Sequence, residues 1–142
     1  MSHVIEFQCL PDAFQPAQCS GVRWLSVTDD EELLARHFVE QGVEPNTRDG
    51  RAEIEAEGYH YAGYVEGDDL LCMAGYWIYS ESAWGLVAVG TLERARRRGL
   101  ATAVCSFITR HVLDAGIQAT TSTMSHNVAM IGVAERLGYR RA

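Results

Sequence analysis

The chain has 142 residues with a formal net charge of −7, and 47% of its residues are apolar while 22% are charged. That length suggests one domain, large enough to bury a core without disulfides or metal. The acidity argues against nucleic acid as the main partner, because such binding rests on neutralising phosphates. It suits a neutral or cationic substrate, such as an amine. No apolar run approaches the length of a bilayer span, and the start Met-Ser-His-Val-Ile-Glu has no basic segment leading into an apolar one. The four cysteines, Cys9, Cys19, Cys72 and Cys105, form no Cys-x-x-Cys pair, so neither a zinc site nor a redox motif is indicated. They read as reduced thiols of a cytoplasmic protein, with a Cys9–Cys19 bridge left open.

Residues 1–20 are the hardest to read. Val4 to Cys9 fits a short strand, and Pro11 and Pro16 then break the pattern. Val22 to Val27 reads as a strand. Thr28-Asp29-Asp30-Glu31 is a helix start with Thr28 as N-cap and Glu31 in the capping-box position. Leu33, Leu34, His37 and Phe38 follow at helical spacing, and Gly42 ends the run. A second helix is expected within Arg48 to Glu57, closed by Gly58.

Three strands follow: Tyr59 to Glu66, Leu70 to Tyr79, and Trp84 to Thr91, joined by turns at Gly67-Asp68-Asp69 and Ser80-Glu81-Ser82. Leu100 to Leu113 is a helix with Leu100, Val104, Phe107, Ile108 and Val112 on one face, capped by Gly116. Ile117 to Ser125 is a Thr-rich strand, and Asn127 to Leu137 a last helix stopped by Gly138. This order describes an α/β chain, a mixed sheet with helices on its faces.

Between the third meander strand and its helix stands Arg94-Ala-Arg96-Arg97-Arg98-Gly99-Leu100-Ala101-Thr102. A helix N-terminus has unpaired N–H groups and a dipole that favours an anion, and cations there are otherwise mildly unfavourable. Four arginines and a glycine at that point indicate a phosphate cradle rather than an incidental charged face. A nucleoside-triphosphate P-loop is excluded, since no Gly-Lys-Ser/Thr follows.

Arg96-Arg97-Arg98-Gly99-Leu100-Ala101 is similar to the Arg/Gln-x-x-Gly-x-Gly/Ala loop of the GNAT acyltransferases. Asn127 through Glu135-Arg136-Leu137-Gly138-Tyr139 resembles that family's second motif. The resemblance covers about Val22 to the end. It implies a mostly antiparallel sheet flanked by helices, acetyl-CoA as co-substrate without a metal, and transfer of an acetyl group to an amine. Arg96 to Thr102 would hold the pyrophosphate, chiefly through backbone amides of Arg97, Arg98, Gly99, Leu100, Ala101 and Thr102. Val89, Gly90 and Thr91 would meet the pantetheine arm and the acetyl carbonyl, and Asn127 the thiol end.

The chain departs from the family at three positions. Ala134 stands where many members carry a tyrosine that protonates the thiolate, and Gly85 and Ser122 stand where members carry a catalytic glutamate. His126 and Glu81 are the remaining candidates for a general base, and each reads equally well as a solvated turn residue. His60 and Cys105 read as structural, while Tyr76, Trp77, Tyr79 and Trp84 divide between core and an acceptor pocket. A CoA-binding module with little turnover is the competing function, and a longer acyl chain or a hydroxyl acceptor a third. Family members usually continue past the position of Ala142 into one or two more strands. Residues 1–20, or a homodimer partner, would then complete the substrate-side wall.

Overall fold

Alternation of apolar and polar residues builds one seven-stranded sheet. The computed structural model describes residues 2–42 and 55–142. Its elements are β1 (Val4–Cys9), β2 (Val22–Leu25), α1 (Glu31–Glu40), β3 (Tyr59–Glu66), β4 (Asp69–Ile78), β5 (Ala83–Thr91), a 3-10 turn (Glu93–Ala95), α2 (Leu100–Asp114), β6 (Gln118–Met124), α3 (Val128–Arg136) and β7 (Arg140–Arg141). The strand order is β2-β3-β4-β5-β6-β1-β7. Every pairing is antiparallel except β5 with β6, so the α/β reading and the mixed sheet hold. The expected helix at Arg48–Glu57 lies mostly outside the described residues.

Two layers of side chains cover the sheet. Beneath α2 and α3 lies the larger core, with Ile5, Phe7, Cys72, Ala74, Leu86, Val104, Cys105, Ile108 and Leu137. On the other face Leu34 of α1 packs on Leu25, Leu70 and Met73. An extra residue in β4, between Leu70 and Cys72, puts Leu70 on the same face as Met73.

Several local readings are corrected. The strand from Val22 stops at Leu25, and α1 starts at Glu31 with Asp30, not Thr28, as N-cap. The Asp30 carboxylate caps nothing; it accepts from Arg23 (2.9 and 3.1 Å) and from the Ser26 N–H (2.8 Å). That local network, with partners four and seven residues away, replaces the capping box. β1 is an interior strand, paired with β6 along its whole length and with β7 at Phe7 and Gln8. All four cysteines are free thiols, so no Cys9–Cys19 bridge forms. Gly138, at φ +95°, lets the chain pass against residues 13–14, where a Cβ would collide with the Ala13 carbonyl.

Candidate active site

β5 and β6 run side by side from Ala83 and Gln118 only as far as Leu86 and Thr121. Both strands continue, but apart. The Thr121 hydroxyl donates to the Leu86 carbonyl (2.9 Å) at the point of divergence. Beyond it opens a groove of about 1140 Å³ between the strands and the first turns of α2 and α3. Backbone N–H and C=O groups of β5 facing this gap have no partner strand, and such groups call for a ligand or water.

A bulge shapes the β5 wall. Met73 of β4 faces Gly90 and Gly75 faces Val87, so β5 carries one residue more than its partner. Ala88, within that bulge, sits at φ +56°, a left-handed conformation that L-residues adopt at a cost. Extra twist from a bulge re-aims the backbone of Val89, Gly90 and Thr91, all three of which line the groove. Gly90 is packed under the Gln41 side chain, whose Nε2 lies 2.9 Å from where a Cβ would be.

The far end of the groove is the mouth of α2. Gly99 is its N-cap, at φ +76°, with no side-chain cap. The first helical bond runs from Ala103 N–H to Gly99 O (3.1 Å), which leaves the amides of Leu100, Ala101 and Thr102 without intrahelical partners. A Cβ on Gly99 would meet no protein atom within 4 Å. The glycine is therefore demanded by its φ, and the space before it stays open. Arg97 is also left-handed, at φ +67°.

The four arginines divide into two pairs. Arg94 binds Glu40 through two bonds (2.8 and 3.0 Å), and Arg98 binds Glu66 (2.8 Å) and lies over the Tyr64 ring. These guanidiniums hold the Glu40 and Glu66 carboxyls below the usual carboxylate range. Arg98 is not brought to the groove. Arg96 and Arg97 line it and have no carboxylate partner among the described residues.

Leu100, Ala101, Thr102 and Asn127 also line the groove. Asn127 is in addition the N-cap of α3, its Oδ1 accepting from Met130 N–H (3.2 Å). His126 and Glu81 are not among the lining residues. The exposed His126 shares a hydrogen bond with Ser2 through Nδ1. Glu81 sits in the turn before β5, five residues and roughly 16 Å of strand rise from Leu86. Ala134 is buried in the core, and its carbonyl accepts from Tyr139 N–H.

Sequence reasoning missed several wall residues. Glu40 and Gln41 arrive from the end of α1, with no local signal. Arg136 lines the groove with Ala129, Met130 and Val133, a helical spacing that was readable. Its guanidinium donates to the Thr102 hydroxyl (3.4 Å).

A mixed sheet whose one parallel pair splays apart over an open helix N-terminus is the GNAT fold. The model of the FR47-like protein family matches residues 61–142, and the chain belongs to that family, within the GNAT superfamily. Solved structures agree in fold. A GNAT-family protein from Novosphingobium aromaticivorans superposes with a TM-score of 0.76 at 20% identity, covering 100% of this chain and 61% of its own. A GCN5-related N-acetyltransferase from Kribbella flavida gives 0.69 at 15% identity, covering 99% and 56%. AAC(6')-Iy, solved in complex with the bisubstrate analogue CoA-S-monomethyl-acetylneamine, gives 0.66 at 16% identity, covering 84% and 89%. The chain thus spans little more than half the length of the first two. No curated protein matches its sequence. No helix among the described residues is long and apolar enough to cross a membrane.

Proposed function

We propose that this chain is an acetyl-CoA-dependent N-acetyltransferase, moving an acetyl group to a primary amine by direct attack. One observation carries the reading: a single groove joins unpaired β5 backbone at one end to the free amides of Leu100, Ala101 and Thr102 at the other. The helix mouth suits a pyrophosphate, with Arg96 and Arg97 free to add charge. Backbone along Val89–Thr91 suits an amide-bearing pantetheine arm. Acetyl-CoA supplies a thioester and a thiolate leaving group. Positioning and backbone polarisation of the carbonyl would provide most of the rate.

One observation favours the second reading, a CoA-binding module with little turnover. Among its described lining residues the groove carries no histidine, cysteine or tyrosine; of its two carboxylates, Glu40 is tied to Arg94, and Glu93 sits on the 3-10 turn that leads to the helix mouth. Calorimetric titration with CoA and acetyl-CoA tests the shared part, and thiol release over a panel of amines separates the two. The chain contains no lysine, so transfer to its own side-chain amines adds no background. Saturable binding with amine-dependent thiol release supports the acetyltransferase. Binding without release supports the module, and no binding refutes both.

The proposal includes a reducing, cytoplasmic setting, supported by four free thiols, and excludes nucleic acid on net charge. It also includes a homodimer, supported by the terminal strands β2 and β7, each with an unpaired edge. Light scattering after gel filtration tests the dimer.

A further inference from the structure

β1 and β6 pair in full register, with Glu6 directly opposite Ser122 and Gln8 opposite Thr120. Directly opposed residues share a face, with Cβ atoms about 4.5–5.5 Å apart. Burial alternates in step on both strands. Ile5, Phe7 and Cys9, with Ala119 and Thr121, are buried toward α2 and α3, while Glu6 and Ser122 are exposed on the outer face. That face also carries Tyr79, whose hydroxyl shares a hydrogen bond with Thr120 (2.9 Å). Gly85 lies there too, since a Cβ on it would meet Tyr79 Cε1 at 3.4 Å.

The groove reaches its closed end at Leu86 and Thr121, both buried toward the core. Core side chains fill the inner side, so an acceptor reaches that end from the outer face. Ser122 stands there at the groove wall, with Glu6 beside it on the neighbouring strand. Glu6 is held by its own backbone, its carbonyl accepting from Ala142 N–H (2.9 Å). Its carboxylate makes no ion pair among the described residues. The charged or titratable groups around it are His3 and Arg141, which share its shallow surface hollow, with Arg140 on β7, His126 past the end of β6 and Tyr79 across the face.

Building on the acetyltransferase reading, we propose that Glu6 accepts the proton of the acceptor amine. It acts across Ser122, directly or through one water, because β1 lies one strand spacing, about 4.8 Å, beyond β6. The amine lone pair forms the N–C bond to the carbonyl carbon, and the C–S bond breaks with its electron pair on sulfur. The N–H proton passes to the Glu6 carboxylate and from there to solvent, and the thiolate takes a proton from water. The sequence hides this arrangement, since Glu6 and Ser122 are far apart in the chain and no local pattern joins them.

The test is Glu6→Gln, which keeps the shape of β1 and removes the proton acceptor. Thiol release is followed from mildly acidic to mildly basic pH, beside acetyl-CoA titration and thermal melts. The expected result is a fall in kcat/KM of about 100-fold, with a flattened acid limb, unchanged melting and unchanged acetyl-CoA affinity. Added formate should partly restore Glu6→Ala, which a purely structural role does not explain. Turnover at the wild-type rate with an unaltered pH profile overturns the role of Glu6 and leaves the acetyltransferase standing. A wild-type protein that releases no thiol with any amine overturns the acetyltransferase reading, and the role of Glu6 with it.

Discussion

Arg97 is held in a conformation that works against the fold, and Arg97→Gly should therefore stabilise the protein while weakening CoA binding. Its φ of +67° costs an L-residue roughly 1–2 kcal/mol. The exposed side chain has no carboxylate partner among the described residues to offset this, unlike Arg94 and Arg98. Glycine takes the same φ without strain but gives back about 0.5–1 kcal/mol through a looser unfolded chain. The net gain is about 1 kcal/mol. Unfolding entropy for 142 residues is roughly 300 cal/mol/K, so melting should rise by about 3 °C.

Binding should move the other way. A charge-assisted hydrogen bond from guanidinium to phosphate contributes about 1.5–3 kcal/mol, which predicts a 10- to 100-fold loss of CoA affinity. Scanning calorimetry and CoA titration of both proteins measure the two effects. A variant that melts below the wild type refutes the strain argument. One that binds CoA as tightly as the wild type refutes the assignment of Arg97 to the anion.

Arg98→Ala, one residue along, should change CoA affinity by less than about twofold and leave the melting temperature nearly unchanged, because its exposed bond to Glu66 is solvent-screened; titration and melts check both. Thr121→Val keeps the volume but strands the Leu86 carbonyl at the head of the groove, and urea unfolding should show a loss of about 1–3 kcal/mol. His37, buried in α1, donates from Nδ1 to the Leu70 carbonyl (2.8 Å), while Nε2 has no partner among the described residues. Burial holds its pKa below the ordinary histidine value, so the folded protein keeps it neutral while the unfolded chain takes up a proton first. Stability from this group is therefore complete above about pH 6.5 and declines as pH falls through that value toward the folded pKa. His37→Leu should be less stable at pH 8 by about 1–3 kcal/mol. Its deficit relative to the wild type should narrow as the pH is lowered, as urea midpoints across pH will show.

The contrast between Arg97 and Arg98 also marks where the sequence stops being legible. Both residues belong to one motif, and residue type and spacing give them the same role. They part because Arg98 meets Glu66 at the β3–β4 hairpin, a contact 32 residues away, while a left-handed turn aims Arg97 elsewhere. Patterns set by near neighbours read correctly: the apolar face of α2, the β3–β4–β5 meander, the helix start after Gly99. Thr28 is the exception, a local miss: Arg23 and Ser26, seven and four residues before Asp30, engage its carboxylate, and Asp30 becomes the N-cap. Features set by distant partners did not. β1 gave no sign that it sits inside the sheet, since its partner β6 comes more than a hundred residues later. Glu40 and Gln41 reach the groove only because α1 packs on β4. The groove is also where local backbone rules are broken. Among the described residues, the two non-glycine residues with positive φ are Ala88 and Arg97, and both line it. One lies in the β5 bulge and the other before α2, and each turns backbone toward the same space. Strain of this kind persists only where the surrounding structure enforces it. Its concentration around one cavity, with an uncapped helix mouth and two arginines that have no carboxylate partner among the described residues, supports the CoA-binding proposal independently of any family motif.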